Sequence, residues 1–144
     1  MEQLDDVDWK IIRELKRDSR LSARELAKLT KISSATINRR VRRLEDSGVI
    51  EGYTLSLNQE KLGKETLAYL LIRTKPGADY TVMMDDIVKH EEVEDIGAIA
   101  GDFDIILKVR TSNMKELDRF IFEYLRKFPD VTQTQTLMVF RGWK

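Results

Sequence analysis

Two serine helix starts, Ser22 and Ser33, leave room between them for one short helix and a tight turn, and this spacing constrains the N-terminal fold most. Glu25 follows Ser22 by three residues, the pairing of a capping box, in which each side chain accepts a hydrogen bond from the other's backbone amide. Leu26 and Leu29 supply the buried side of this helix, and its pattern stops near Thr30. Ser33 opens a third helix that runs to about Ser47 and ends at Gly48, a residue type that adopts the left-handed C′ conformation without a Cβ clash. Its buried stripe is Ile37, Val41 and Leu44, at steps of four and three. Upstream, Asp5 or Asp6 caps a first helix whose Leu4, Val7, Ile11, Ile12 and Leu15 share a face. Three short helices with a tight turn before the last is helix-turn-helix organisation.

Charge follows the same geography. The chain is neutral overall, yet residues 1–64 hold 14 Lys/Arg against 11 Asp/Glu and the remainder hold 11 against 14. From Leu26 to Leu44 there are six cations (Lys28, Lys31, Arg39, Arg40, Arg42 and Arg43) and no acid. A locally basic element in a balanced chain neutralises phosphates without making the whole protein indiscriminately adhesive. A charge run alone is more often a solvated helix face; capping, pattern and charge together favour double-stranded DNA as the partner. In such motifs the N-terminal part of the last helix enters the major groove. Ser33, Ser34, Ala35 and Thr36 are small enough for close approach, and Asn38 lies on a flank. A wheel at about 100° per residue turns Thr36, Arg39 and Arg43 away from the buried stripe. Arg39 is placed to reach a guanine edge, and Arg40, Arg42 and Arg43 to anchor phosphates.

After Gly48, Tyr53, Leu55 and Leu57 alternate with polar residues, the pattern of a half-buried strand whose free edge invites pairing with a second copy. The polar stretch from Asn58 to Glu65 marks a boundary. The expected division is residues 1–51 for DNA binding, 52–64 for hinge strand and linker, and 65–144 for a second domain.

That second domain reads as βαββαβ. An apolar strand, Leu67 to Ile72, ends at Pro76-Gly77. A helix follows from about Asp79 to His90, with Tyr80, Met83, Met84, Ile87 and Val88 as its core face. Val93–Ala100 and Ile105–Arg110 are strands joined at Gly101-Asp102-Phe103-Asp104. Asn113 and Glu116 form another capping box, opening a helix that buries Leu117, Phe120, Ile121 and Tyr124. Val131 to Phe140 is the last strand. This order makes an α+β, ferredoxin-like domain: one antiparallel sheet with two helices on one face. The other face would lie bare in a monomer, so self-association is expected there.

Several function classes are excluded or disfavoured. No apolar run approaches the roughly 20 residues of a membrane helix, and no export signal pattern opens the chain, so a cytoplasmic location and no membrane partner are expected. There is no Cys and one His, so neither a thiolate nor an imidazole-rich metal site is expected. His90, beside Glu91 and Glu92, reads as a solvated cation at a helix end. There is no nucleophile–base pair and no phosphate-cradling Gly-rich loop, so the chain does not read as an enzyme and calls for no cofactor.

Four stretches, Leu4-Asp5-Asp6-Val7-Asp8, Ser33 through Glu45, Gly48-Val49-Ile50-Glu51-Gly52-Tyr53 and Gly101-Asp102-Phe103-Asp104, give the chain a resemblance to the Lrp/AsnC (leucine-responsive, feast/famine) transcription regulators over essentially its whole length. Lys31 departs from the Gly that family members often carry in the turn. The resemblance implies a winged-helix-like DNA-binding domain, a hinge strand, and an effector-binding RAM domain. It implies homodimers that assemble further, commonly to octamers, and a small amino acid as effector, bound between C-terminal domains. It places effector contacts at Gly101, Asp102 and Asp104, with Thr134 and Thr136. Asp104 suits an ammonium, and the Gly101 backbone with the threonine hydroxyls suits a carboxylate. Thr132, Thr134 and Thr136 share one strand face; Asp118, at the border of its helix's apolar face, is a further candidate. Gly101-Asp102 equally suits a two-residue hairpin turn, and threonines suit strands for conformational reasons alone. The alternative function is an architectural DNA-compacting protein without an effector.

Overall fold

The computed structural model describes residues 4–141. The chain divides into two compact units, Met1–Ser56 and Leu57–Lys144.

In the first unit the three expected helices form: α1 (Asp6–Arg17), α2 (Ala23–Thr30) and α3 (Ser34–Asp46). Of the two candidate caps for α1 it is Asp5 that serves. Its carboxylate accepts from the Val7 and Asp8 amides (both 3.0 Å) while its own amide donates to Asp8 Oδ2 (3.0 Å). Ser22 and Glu25 make the expected capping box on α2, and the Ser33 hydroxyl accepts from the Thr36 amide (3.2 Å) on α3. Ile11, Leu26, Ile37 and Leu44 are fully buried where the helices meet, with Val41, Leu15 and Ile50 packed around them. Leu29 is not part of this core; it is 57% exposed, because an eight-residue helix turns only one narrow side to its neighbours and Leu26 takes it. Lys31 caps α2 in the left-handed region (φ 59°, ψ 34°).

The strand expected after Gly48 does not form within the chain. Residues 51–58 have no ladder and are exposed, Leu55 most of all. The reason is topological: the sequence alternation is right for a strand, but none of the described strands pairs with it.

The second unit is the expected βαββαβ: β1 (Thr66–Thr74), α4 (Thr81–Ile87), β2 (Val93–Ala98), β3 (Ile105–Thr111), α5 (Met114–Arg119) and β4 (Val131–Met138). The sheet is antiparallel in the order β2-β3-β1-β4. Ala68, Leu70 and Ile72 of β1 and Ile105, Leu107 and Val109 of β3 point to one face, where Met83, Ile87, Leu117, Phe120, Ile121 and Leu125 cover them. The second helix does not stay α-helical: Phe120–Tyr124 forms a π turn and Leu125–Lys127 a 3-10 turn. Leu125, unassigned from sequence, is thereby fully buried.

Four details depart from expectation. α4 is shorter than read, and Val88 falls at its exposed end, outside the core. Asn113 caps α5 by accepting from the Glu116 amide (3.0 Å), but Glu116 returns its carboxylate to the Ser112 amide (3.0 Å), so the box is opened by one residue. His90 is not simply solvated; its ring is half-buried and packs against Phe120 and Tyr124 (centroids 4.8 and 4.4 Å) with Nδ1 on the Glu92 carboxylate. Finally, a bulge shifts the β1–β4 register between Arg73 and Thr74. It takes Thr132 out of the alternation and sets its hydroxyl on the Arg73 carbonyl (3.1 Å), so the three threonines do not share a face.

Candidate DNA interface and effector-binding loop

The outer surface of α3 is built by elimination. Ile37, Val41 and Leu44 face inward, leaving Ala35, Asn38, Arg39 and Arg42 exposed. Asn38, Arg39 and Arg42 border an open groove of about 890 Å³ that ends at Glu45 and Asp46. Thr36, expected to face outward, is half-buried and shares a hydrogen bond with Ser33 (2.9 Å between hydroxyl oxygens), so both serve the start of the helix. Ser34 is half-buried beside them.

Arg40 and Arg43, expected as phosphate anchors, are engaged inside the domain. Arg40 Nη1 donates to Asp5 Oδ2 (2.6 Å) and to Asp8 Oδ1 (3.2 Å), and Arg43 Nη2 donates to Asp8 Oδ2. Asp8 is fully buried. A wheel of α3 alone gives the angle of each arginine; it does not say that the flank occupied by Arg40 faces the acidic first turn of α1. The Asp8 amide, and then the Arg40 guanidinium, hold the Asp5 carboxyl down at about 2. The same contacts with Asp5 raise Arg40 further above its usual range.

In the second unit the connection between β2 and β3 is a loop over residues 99–104, not a two-residue turn. The Ile99 amide donates to the Asp104 carbonyl (2.8 Å) across its base, and Gly101 takes φ 136°, a conformation that excludes a Cβ. Asp104 ties the loop to the end of β1. Its Oδ2 accepts from the Thr74 amide (2.7 Å) and hydroxyl (3.0 Å), and its amide donates to the Ile72 carbonyl (2.9 Å). Arg73 Nε donates to the Asp102 carbonyl (2.6 Å), with its guanidinium 5.2 Å from the Phe103 ring centre.

Gly101, Asp102 and Asp104 thus border one open depression of about 520 Å³, together with Arg73, Thr74, Lys75 and Gly77. Thr134 and Thr136 pair with Ile72 and Leu70 on β4 and do not line it; neither does Asp118, exposed on α5. Sequence reading missed Arg73, Thr74 and Lys75. The strand's apolar run ended at Ile72, and only the antiparallel pairing of β1 with β3 brings its end beside residues 101–104.

Comparison with known proteins agrees with both halves. Residues 4–51 match a family model described as winged helix-turn-helix DNA-binding, and residues 67–144 match one described as Lrp/AsnC ligand binding domain. The chain is 36% identical over 141 residues to the HTH-type transcriptional regulator FL11 of Pyrococcus abyssi, covering 98% of this chain and 92% of that one. The FL11 of Pyrococcus furiosus is 37% identical with the same coverage. Among solved structures, Bacillus subtilis LrpC superposes with a TM-score of 0.88 at 35% identity, over 99% of each chain. A Neisseria meningitidis transcriptional regulator solved as its L-Met complex superposes with a TM-score of 0.93 at 25% identity, over 99% of this chain and 93% of that one. The chain belongs to the Lrp/AsnC family of transcriptional regulators, with a helix-turn-helix DNA-binding domain followed by an α+β ligand-binding domain.

Proposed function

We propose that this regulator binds DNA sequence-specifically through α3 and that a small amino acid, held at the loop between β2 and β3, modulates it. Arg39 reads a base edge in the major groove, Asn38 and Arg42 flank it, and the amides at the start of α3, with Ser33 and Ser34, hold a phosphate. A homodimer places two such helices in successive major grooves, about 34 Å apart. The hinge strand Tyr53–Leu57 pairs with its counterpart in the second copy, which would cover its apolar side chains.

The observation that carries the effector reading is the mixed charge of the depression beside Gly101. Arg73 and Lys75 line it together with Asp102 and Asp104. A zwitterion needs both signs, a cation for its carboxylate and a carboxylate for its ammonium. The L-Met complex of the Neisseria relative supports an amino acid as the ligand class. Bound between C-terminal domains of neighbouring copies, the ligand favours one assembly over another and so changes which DNA arrangement is stable. Isothermal calorimetry of the full chain against each of the twenty amino acids tests this. One or a few should bind, and Lys75→Ala should weaken that binding at least tenfold without altering DNA affinity in the absence of ligand. Silence from all twenty would overturn the effector assignment and leave the architectural reading of DNA compaction.

A further inference from the structure

Four charges join α1 to α3. Asp5 and Asp8 stand at the start of α1, and Arg40 and Arg43, three residues apart, lie along the flank of α3 that faces them. Asp8 is fully buried and touches both guanidiniums, so its two oxygens fix two points along α3 at once. Charge-assisted bonds of this kind are directional as well as strong. Two anchors one turn apart hold a helix against rotation about its own axis, which apolar packing at Ile37 and Leu44 does weakly, since a greasy stripe tolerates small rolls. The outward angle of Arg39 and Arg42 follows from that roll.

We propose that Asp8 is a positioning residue for the DNA-reading helix: it holds Arg40 and Arg43 as internal struts, so that Arg39 and Arg42, not all four arginines, meet the DNA. The inference rests on α3 being the DNA-contacting helix. Arg43 borders the same groove as Arg42, yet its Nη2 turns to Asp8. Neutralised by two carboxylates, the pair adds little to the attraction for arbitrary phosphates, so non-specific binding is restrained while the reading face keeps its cations.

The salt dependence of binding separates strut from anchor. Each phosphate neutralised adds about 0.9 to the slope of log affinity against log salt concentration. The probe is a fluorescein-labelled mixed-sequence 30-base-pair duplex, titrated with full-length protein between about 50 and 200 mM salt. Arg42→Gln should lower the slope by about 0.9 per bound α3, whereas Arg40→Gln and Arg43→Gln should leave it unchanged within error. Glutamine keeps a polar, uncharged side chain at each position, and circular dichroism of these variants checks that the fold is kept. Asp8→Asn, by removing one carboxylate from beside the two guanidiniums, should raise the slope by up to about 0.9, and adding Arg43→Gln to it should return the wild-type value. A fall in slope for Arg43→Gln equal to that for Arg42→Gln would overturn the proposal, even if Asp8→Asn failed to fold. Equal, undiminished slopes for all three arginine variants would also overturn it, by removing Arg42 from phosphate contact, whereas unchanged affinity in an Arg39→Gln/Arg42→Gln double variant would remove α3 from the DNA interface, a failure of the reading on which this one rests.

Discussion

Asp5 shows how much one residue combines at the smallest scale. Its carboxylate caps α1 through two amides and simultaneously pairs with Arg40. The Asp8 amide and the guanidinium both favour its ionised form, and they take its carboxyl from 3.8 to about 2. A carboxyl depressed in the folded state contributes stability above its unfolded value, and that contribution disappears as pH falls through the folded one. Wild type should therefore lose stability between about pH 4 and pH 2 in excess of Asp5→Asn, which keeps a good N-cap but does not titrate. The two melting temperatures, measured by circular dichroism, should differ at neutral pH and converge by pH 2; a constant gap would show that the Asp5 charge does not contribute. The capping role was legible in the sequence, because a cap is defined by spacing along one chain segment. The pairing with Arg40 was not, since it joins residues 35 apart. Lys31 falls between: its place in the turn was readable, and the left-handed backbone it adopts there follows the geometry the turn demands rather than the preference of lysine.

At the scale of elements, regular segments were legible and the joints between them less so. The period of the apolar residues marked every helix and strand of the second domain, because each buries one face against a common core. The π turn after α5 and the bulge in β4 each insert one residue into that period, and an insertion has no signature in composition. The connection between β2 and β3 was legible as Gly101–Asp104, and the structure lengthens it to 99–104. Gly101-Asp102 has the residues of a tight hairpin, but Asp104 is drawn to the end of β1 and the loop spans 99–104. Support of the loop is observed for this carboxylate and contact with a ligand is proposed, and the two are separable. Thr74 is buried, so Asp104→Ala strands its amide and hydroxyl and should destabilise the chain by about 1–3 kcal/mol. Thr74→Val removes only the hydroxyl contact and should cost about 1 kcal/mol while leaving the Asp104 carboxylate in place. If Asp104 meets the ligand, Thr74→Val should keep amino-acid binding and Asp104→Ala should lose it, both read by calorimetry after urea unfolding has set their stabilities. Parallel loss in both variants would reduce Asp104 to a loop support.

For the whole molecule, the unpaired surfaces carry the argument. Within the C-terminal unit both helices pack on one side of the sheet, leaving Tyr69, Leu71, Ile106 and Leu137 on the other. Register places Leu71 opposite Ile106 on β3 and Tyr69 opposite Leu137 on β4, so these four form a continuous apolar strip across three strands. Arg73, Lys108 and Arg110 lie on the same face at its border, the latter two paired with the Glu94 carboxylate. A strip of this kind is stabilised by burial, at roughly 25 cal/mol per Å² removed from water, and a charged rim limits which surfaces can approach. A second copy related by a two-fold axis meets the strip with the same strip, and offsets the rims so that they need not face each other. Leu71 sits at the centre, where any such contact is driest. Leu71→Lys puts an ammonium there; in an isolated chain it snorkels to water at little cost, but in a buried interface it has no partner. Analytical ultracentrifugation of wild type should show a dimer or larger species, and of Leu71→Lys a shift to monomer at the same concentration with an unchanged circular dichroism spectrum. DNA affinity should fall with it, because two α3 helices carried by one dimer gain from effective concentration what a single helix lacks. An unaltered mass would leave the sheet face outside the assembly and put the exposed segment from Tyr53 to Leu57 forward as the contact that joins the copies.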